Sequence, residues 1–168
     1  MSMGQAILAY RKRQNMTQQD FAQAIPMDRS VIARIESGDR KAAKVVMKRV
    51  STCYDDPQLM LAAQEEVTDG ACTPWLDGAD LHKSTVQLKT EEELSEAQAA
   101  MRLVPITKRK DQLTEVDMIA IKSAIMECIE AITALTHYVA VLCKEFAFSW
   151  LALWKEHRRE LKVKKYMK

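Results

Sequence analysis

Few residues in this chain have the types and spacing that chemistry needs. Cys53, Cys72, Cys128 and Cys143 form no C-x-x-C pair, and no histidine stands at ligand spacing from any of them. Reduced thiols are expected, not a metal centre or a disulfide frame. Glu127, Glu130 and His137 fall in one segment without making the E-x-x-H pairs of a di-metal bundle, and His82 and His157 are isolated. No nucleophile–base pair, glycine-rich phosphate loop or H-E-x-x-H is present. The sequence therefore predicts no catalytic residue, no metal, no cofactor and no enzyme.

What remains is charge and its distribution. The 168 residues carry 25 Lys/Arg and 23 Asp/Glu, a net of +2. Residues 1–54 hold ten basic and four acidic residues, a net of +6, and residues 55–168 hold fifteen and nineteen, a net of −4. A basic end joined to an acidic remainder reads as two parts with different partners. Glycine and proline number four each, too few for the turns of a sandwich or barrel. Ala, Met, Leu, Gln, Glu and Lys, all good helix formers, are plentiful. The fold class expected is all-α. No apolar leader and no run of 18 apolar residues is seen, so neither secretion nor a membrane span is expected.

Local signals divide the chain. Ser2 with Gln5 has the form of a capping box. The helix that follows places Ile7 and Tyr10 on one face and Arg11, Lys12 and Arg13 near its end. Thr17 caps a helix over 18–24 that turns Phe21 and Ala22 inward and stops at Pro26. Asp28 caps the next, over 29–37, and Gly38 stands where a left-handed C-cap is needed. Val45, Val46, Met47 and Val50 suggest a fourth helix, and residues 57–67 a fifth with proline in its first turn. The run 68–78 holds two glycines and a proline and reads as a loop, with Trp75 and Leu76 available to pin it. Thr90 with Glu93 reads as another capping box, opening a helix to about Val104. Thr114 with Asp117 opens the longest segment, and Ser149 caps a last helix over 150–162. The division expected is a five-helix domain at 1–66, a loop or linker at 67–89 and a helical oligomerisation domain at 90–168.

The most specific stretch is Thr17-Gln-Gln-Asp-Phe-Ala-Gln-Ala-Ile-Pro-Met-Asp-Arg-Ser-Val-Ile-Ala-Arg-Ile-Glu-Ser-Gly38. It resembles the helix-turn-helix of the lambda-repressor-like (Xre/Cro) DNA-binding family. The resemblance rests on Thr17-Gln18 opening the first helix, Phe21-Ala22 inside it, Ile25 before the turn, Ser30 and Ile32 in the second, and the ending Ile35-Glu36-Ser37-Gly38. It reaches from about residue 5 to residue 50. Pro26 departs from it, since the family often has glycine in that turn. In this fold two short helices and a tight turn hold the second helix out from the body, where it can enter the major groove.

The resemblance implies roles position by position. Gln18 would touch phosphate or a base edge. Arg29, Ser30, Ala33 and Arg34 would face the bases, with Asp28, the helix cap, beside them. Arg29 or Arg34 could grip guanine O6 and N7, and Ala33 could offer only apolar contact, for instance to a thymine methyl. Arg40, Lys41 and Lys44 would lie along phosphates. Arg11 and Glu36 match a structural salt bridge between the first and third helices. The bland alternatives are solvated helix charges for the basic residues and caps or surface groups for Gln18 and Ser30.

The long segment repeats apolar residues at 3,4 spacing: Met118, Ile121, Ile125, Cys128, Ile132, Leu135, Val139, Leu142 and Phe146. Such spacing fits a coiled-coil seam or a bundle core. Ile119, Met126, Ile129, Tyr138 and Val141 widen the stripe, so it needs cover on more than one side. The reading is a sequence-specific transcriptional regulator, a repressor acting as a homodimer through these helices on a palindromic double-stranded operator. Phage, mobile-element or antitoxin settings are natural, and the bacterial nucleoid in the cytoplasm is the expected location. The alternative is a protein-interaction module, an antitoxin or anti-regulator, whose C-terminal helices hold a heterologous protein.

Overall fold

The computed structural model describes all residues, 1–168. It is all helical: α1 (Met3–Arg13), α2 (Gln18–Ala24), α3 (Arg29–Ser37), α4 (Lys44–Cys53), α5 (Pro57–Thr68), α6 (Lys83–Arg102), α7 (Glu115–Glu145) and α8 (Trp150–Val163), with one 3₁₀ turn at Lys110–Gln112. No helix is long and apolar enough to cross a membrane. The chain forms two compact units, Met1–Gly78 with Ala147–Lys168, and Ala79–Phe146.

In the first unit the caps foreseen at Ser2, Thr17 and Asp28 all form. Ser2 and Thr17 make reciprocal capping boxes with Gln5 and Asp20. Asp28 Oδ1 accepts the Ser30 N–H at 2.7 Å. Helices α1 to α5 bury one core of Met3, Ala6, Ile7, Phe21, Ala22, Ile25, Ile32, Ile35, Val46, Met47, Val50, Tyr54, Leu59 and Ala62. The rings of Phe21 and Tyr54 stack at 4.7 Å, and Tyr10 leans on Tyr54 at 4.9 Å. Burial pushes the Tyr54 hydroxyl up to about 12. Gly4 has a packing reason: a Cβ there would stand 2.0 Å from the Ile35 carbonyl oxygen. Glycine at this point lets α1 lie directly on α3.

Helix α8 belongs to this unit, not to the hydrophobic segment before it. Ser149 caps it by accepting the Ala152 N–H at 3.0 Å, and its own hydroxyl donates to Asp55. Trp150 is buried, whereas Leu153, Trp154, Val163 and Tyr166 are exposed.

The second unit is the antiparallel hairpin of α6 and α7. Helix α6 starts at Lys83, so the expected opening at Thr90 is corrected. Thr90 is buried mid-helix, and its hydroxyl donates to Val86 O at 2.7 Å and approaches Ala134 O on α7 at 3.3 Å. A threonine four residues after a carbonyl satisfies its hydroxyl within the helix, and no cap is then needed. The face of α6 turned to its partner is Val86, Thr90, Glu93 and Ala97. On α7 the buried residues are Ala124, Ala131, His137, Ala140 and Cys143, and the small alanines let the two helices approach closely. Lys83 pairs with Glu145 across the open end of the hairpin. At the N-terminus of α7, Asp117 accepts from Lys108 at 2.7 Å and closes the capping box with Thr114, which pulls its carboxyl down to about 2. Glu127 is shifted the other way, raised by burial and by the charges of Glu130, Glu96 and Glu93.

The apolar stripe of α7 is therefore not the intrachain core. Met118, Ile125, Ile132, Leu135, Val139 and Phe146 are exposed, and Ile121, Cys128 and Leu142 are half-buried. Val116, Ile119, Met126 and Ile129 are exposed beside them. At 100° per residue, Met118 and Ile129 lie roughly opposite Ala124 and Ala131, with Ile125 and Ile132 about a quarter-turn to one side.

Candidate nucleic-acid interface

The candidate interface is built on α3. Its N-terminus is fixed by Asp28, whose carboxyl is held below the usual range chiefly by its hydrogen bonding with Ser30. Its C-terminus closes on Gly38, which takes φ 83° and donates its N–H to Ile35 O at 3.2 Å. Ile32 and Ile35 point into the core, which sets the roll of the helix. Arg29, Ser30 and Arg34 are then exposed and Ala33 half-buried; Ser30, Ala33 and Arg34 lie on the face opposite the two isoleucines, and Arg29 stands to one side of it in the first turn. Three of the four residues expected to face bases thus share one solvent surface, and Arg29 flanks it at the start of the helix. Ser37 joins them at the end of that face, with its hydroxyl donating to Asp39 at 2.7 Å. Ser37 carries no separate signal in the sequence because it falls inside the helix-ending motif.

The turn between α2 and α3 is made despite Pro26. The Met27 N–H reaches back to Ala22 O at 2.9 Å, and Arg49 Nη1 donates to Pro26 O at 2.7 Å. Arg49 braces this turn from α4, a role with no local signal.

Behind α3 lies the pair foreseen for Arg11 and Glu36. Arg11 Nε meets Glu36 Oε1 at 2.8 Å and Nη2 meets Oε2 at 2.7 Å, a two-pronged contact. The side chains are only 13 % and 5 % exposed. Arg11 Nη1 also donates to Met16 O at 2.8 Å, which ties the α1–α2 loop to the same point. Gln18 Nε2 donates to Glu36 Oε2 at 3.0 Å. Burial alone would raise the Glu36 carboxyl, but hydrogen bonds from Arg11 and Gln18 and the Arg11 charge outweigh it, and the net shift is downward. Gln18 is half-exposed, so its amide is aimed by Glu36 while its edge remains open to solvent.

Arg40, Lys41 and Lys44 are exposed around the α3–α4 connection. Helix α4 begins after Ala43 with no side-chain cap and no acidic residue in its first turn. Its exposed end therefore offers partial positive charge beside the lysines. Arg13, by contrast, is a structural residue: it donates to Asp56 at 2.6 Å and to Gln58 at 2.9 Å.

Two short helices joined by a braced turn, the second anchored behind and exposed in front, define a helix-turn-helix DNA-binding domain. Comparison with known families agrees: residues 7–55 match the Helix-turn-helix family model. The match is of the lambda-repressor or Xre-like kind. It spans 49 of the 168 residues, so it assigns the N-terminal domain and reaches neither the α6–α7 hairpin nor α8. No curated protein matches the chain, and no solved structure does.

Proposed function

We propose that the chain is a sequence-specific transcriptional repressor that binds a palindromic operator as a homodimer. The observation that carries DNA reading is the α3 face: Arg29, Ser30, Ala33 and Arg34 stand clear of the core while Ile32 and Ile35 fix their direction. Arg29 and Arg34 read purine edges, Ala33 contacts an apolar base edge, and Gln18 and Ser30 add polar contacts. Lys41, Lys44 and Arg40 hold phosphates and set the register.

Dimerisation is assigned to the outward face of α7. Val116, Met118, Ile119, Ile125, Met126, Ile129 and Ile132 are each between 46 and 74 % exposed. Together they present on the order of 700 Å² of apolar surface, close to the roughly 800 Å² per partner that a specific interface buries. A patch of this size is rarely left in water on a monomer. A second copy supplies the same patch under two-fold symmetry and gives the regulator two recognition helices. The other occupant is a heterologous protein, as in an antitoxin.

Selection of bound duplexes from a random pool with the full chain tests the reading. Two inverted half-sites about 34 Å apart, or a whole number of turns apart, are expected. Recovery of a single unpaired half-site removes the dimer from the proposal, and absence of any enriched sequence removes specific DNA reading.

A further inference from the structure

The α6–α7 hairpin carries a cluster that DNA reading does not use. Glu93 on α6 and Glu127 and Glu130 on α7 each bring a carboxylate oxygen within 4.8 Å of the other two. Glu93 is only 7 % exposed. Lys89 Nζ meets its Oε1 at 2.9 Å, but its buried Oε2 has no hydrogen-bond partner. The Lys89 ammonium is itself shared with Glu92 at 2.8 Å. The one lysine at Glu93 is thus divided between two carboxylates of α6, and one buried oxygen of Glu93 is left without a donor. Buried polar atoms in folded chains nearly always find a partner, and an orphan marks a place for a water or an ion.

We propose that Glu93, Glu127 and Glu130 form a divalent-cation site that ties α6 to α7. An oxygen spread of up to 4.8 Å accommodates a central ion with bonds of about 2.1–2.5 Å. All-oxygen, all-anionic donors select a hard cation of the Mg²⁺, Mn²⁺ or Ca²⁺ type over thiophilic metals. Glu127 is half-buried and Glu130 exposed, which leaves open positions for water to complete the coordination shell. Glu127 and Glu130, three apart on α7, share one helix face. The third ligand comes from the other helix, so binding couples the two and stabilises the hairpin that bears the apolar face of α7.

Titration of the full chain with Mn²⁺, followed by the loss of the free-ion paramagnetic resonance signal, tests the site without DNA. One ion per chain is expected, with a dissociation constant below about 1 mM and competition by Mg²⁺ or Ca²⁺. Glu130→Gln, at an exposed position, and Glu93→Gln should each weaken binding at least ten-fold. Circular dichroism of the variants should stay helical. Absence of binding at millimolar Mn²⁺ overturns the proposal, and so does binding that both variants retain undiminished. Loss of helicity in Glu93→Gln leaves the Glu130→Gln result to decide.

Discussion

Asp55 and Leu151, 96 residues apart, are joined by a hydrogen bond: Asp55 Oδ1 accepts the Leu151 backbone N–H at 2.9 Å. The other oxygen of Asp55 accepts from the Ser149 hydroxyl. A residue just past α4 thus caps α8, and α8 becomes part of the DNA-binding unit. Side-chain capping of this kind contributes about 1 kcal/mol. Asp55→Ala should therefore raise amide exchange across residues 150–163 roughly five-fold while α1 to α5 keep their protection. Unchanged exchange in α8 would mean that burial of Trp150 alone holds the helix.

The crossing of α1 and α3 makes a sharper demand. An alanine at position 4 would place its methyl carbon 2.0 Å from the Ile35 carbonyl oxygen and 3.3 Å from the Glu36 Cα. Backbone cannot yield as a side chain can, so the two helices must separate, and the Arg11–Glu36 contact opens with them. Overpacking costs about 1–3 kcal/mol, partly offset by the better helix propensity of alanine. Gly4→Ala should lower stability by about 2 kcal/mol in chemical denaturation. A neutral result would show that α1 does not lie as close to α3 as described.

How much of this was legible in the sequence follows the range of the interaction. Ser2, Thr17, Asp28, Thr114 and Ser149 all cap helices as read, because a cap is decided within four residues. Thr90 has the same local pattern and is no cap, because its hydroxyl is satisfied by Val86 O. Helix α6 starts instead after His82, which makes no side-chain cap and so leaves no signal. The apolar stripe of α7 was visible, but the side facing α6 was not, since Ala124 and Ala131 carry little hydrophobic weight. Gly4, the Asp55 cap and the Glu93 cluster all depend on residues more than thirty positions away, beyond any pattern in a single stretch.

The Arg11–Glu36 pair predicts a pH dependence. The folded-state pKa of Glu36 lies below its unfolded value. The stability it contributes is therefore present above the unfolded value, near 4.3 for a glutamate, and is lost as pH falls through the lower folded value. Glu36→Gln leaves the Arg11 guanidinium buried without a counter-charge and should cost about 3 kcal/mol at pH 7. Its stability should also fall less steeply than that of the parent chain below pH 4. Parallel acid limbs, measured by urea unfolding from pH 3 to 7, would sink this account.

Base readers and phosphate holders should separate by their salt and sequence dependence. Arg34→Ala, on the exposed face of α3, should cost about 1–3 kcal/mol on the selected operator and little on random duplex. Lys41→Ala should weaken both duplexes alike and make the salt slope shallower by about one unit. An equal loss on both duplexes for Arg34→Ala would move that residue to the phosphate group.

The outward face of α7 gives the last prediction. Ile125, Ile129 and Ile132 are about half exposed, and Ile129 lies roughly opposite the alanines that face α6, so a charge placed at Ile129 should not disturb the hairpin itself. In a dimer the same charge meets its own copy across the two-fold axis, where like charges and lost apolar contact act together. Ile129→Glu should halve the mass seen by light scattering at micromolar concentration and leave helicity unchanged. It should lower affinity for the palindrome at least a hundred-fold while a single half-site is bound as before. Were the parent chain already monomeric, with Ile129→Glu altering only its solubility, α7 would belong to a heterologous partner, and the chain would need that partner to reach two half-sites.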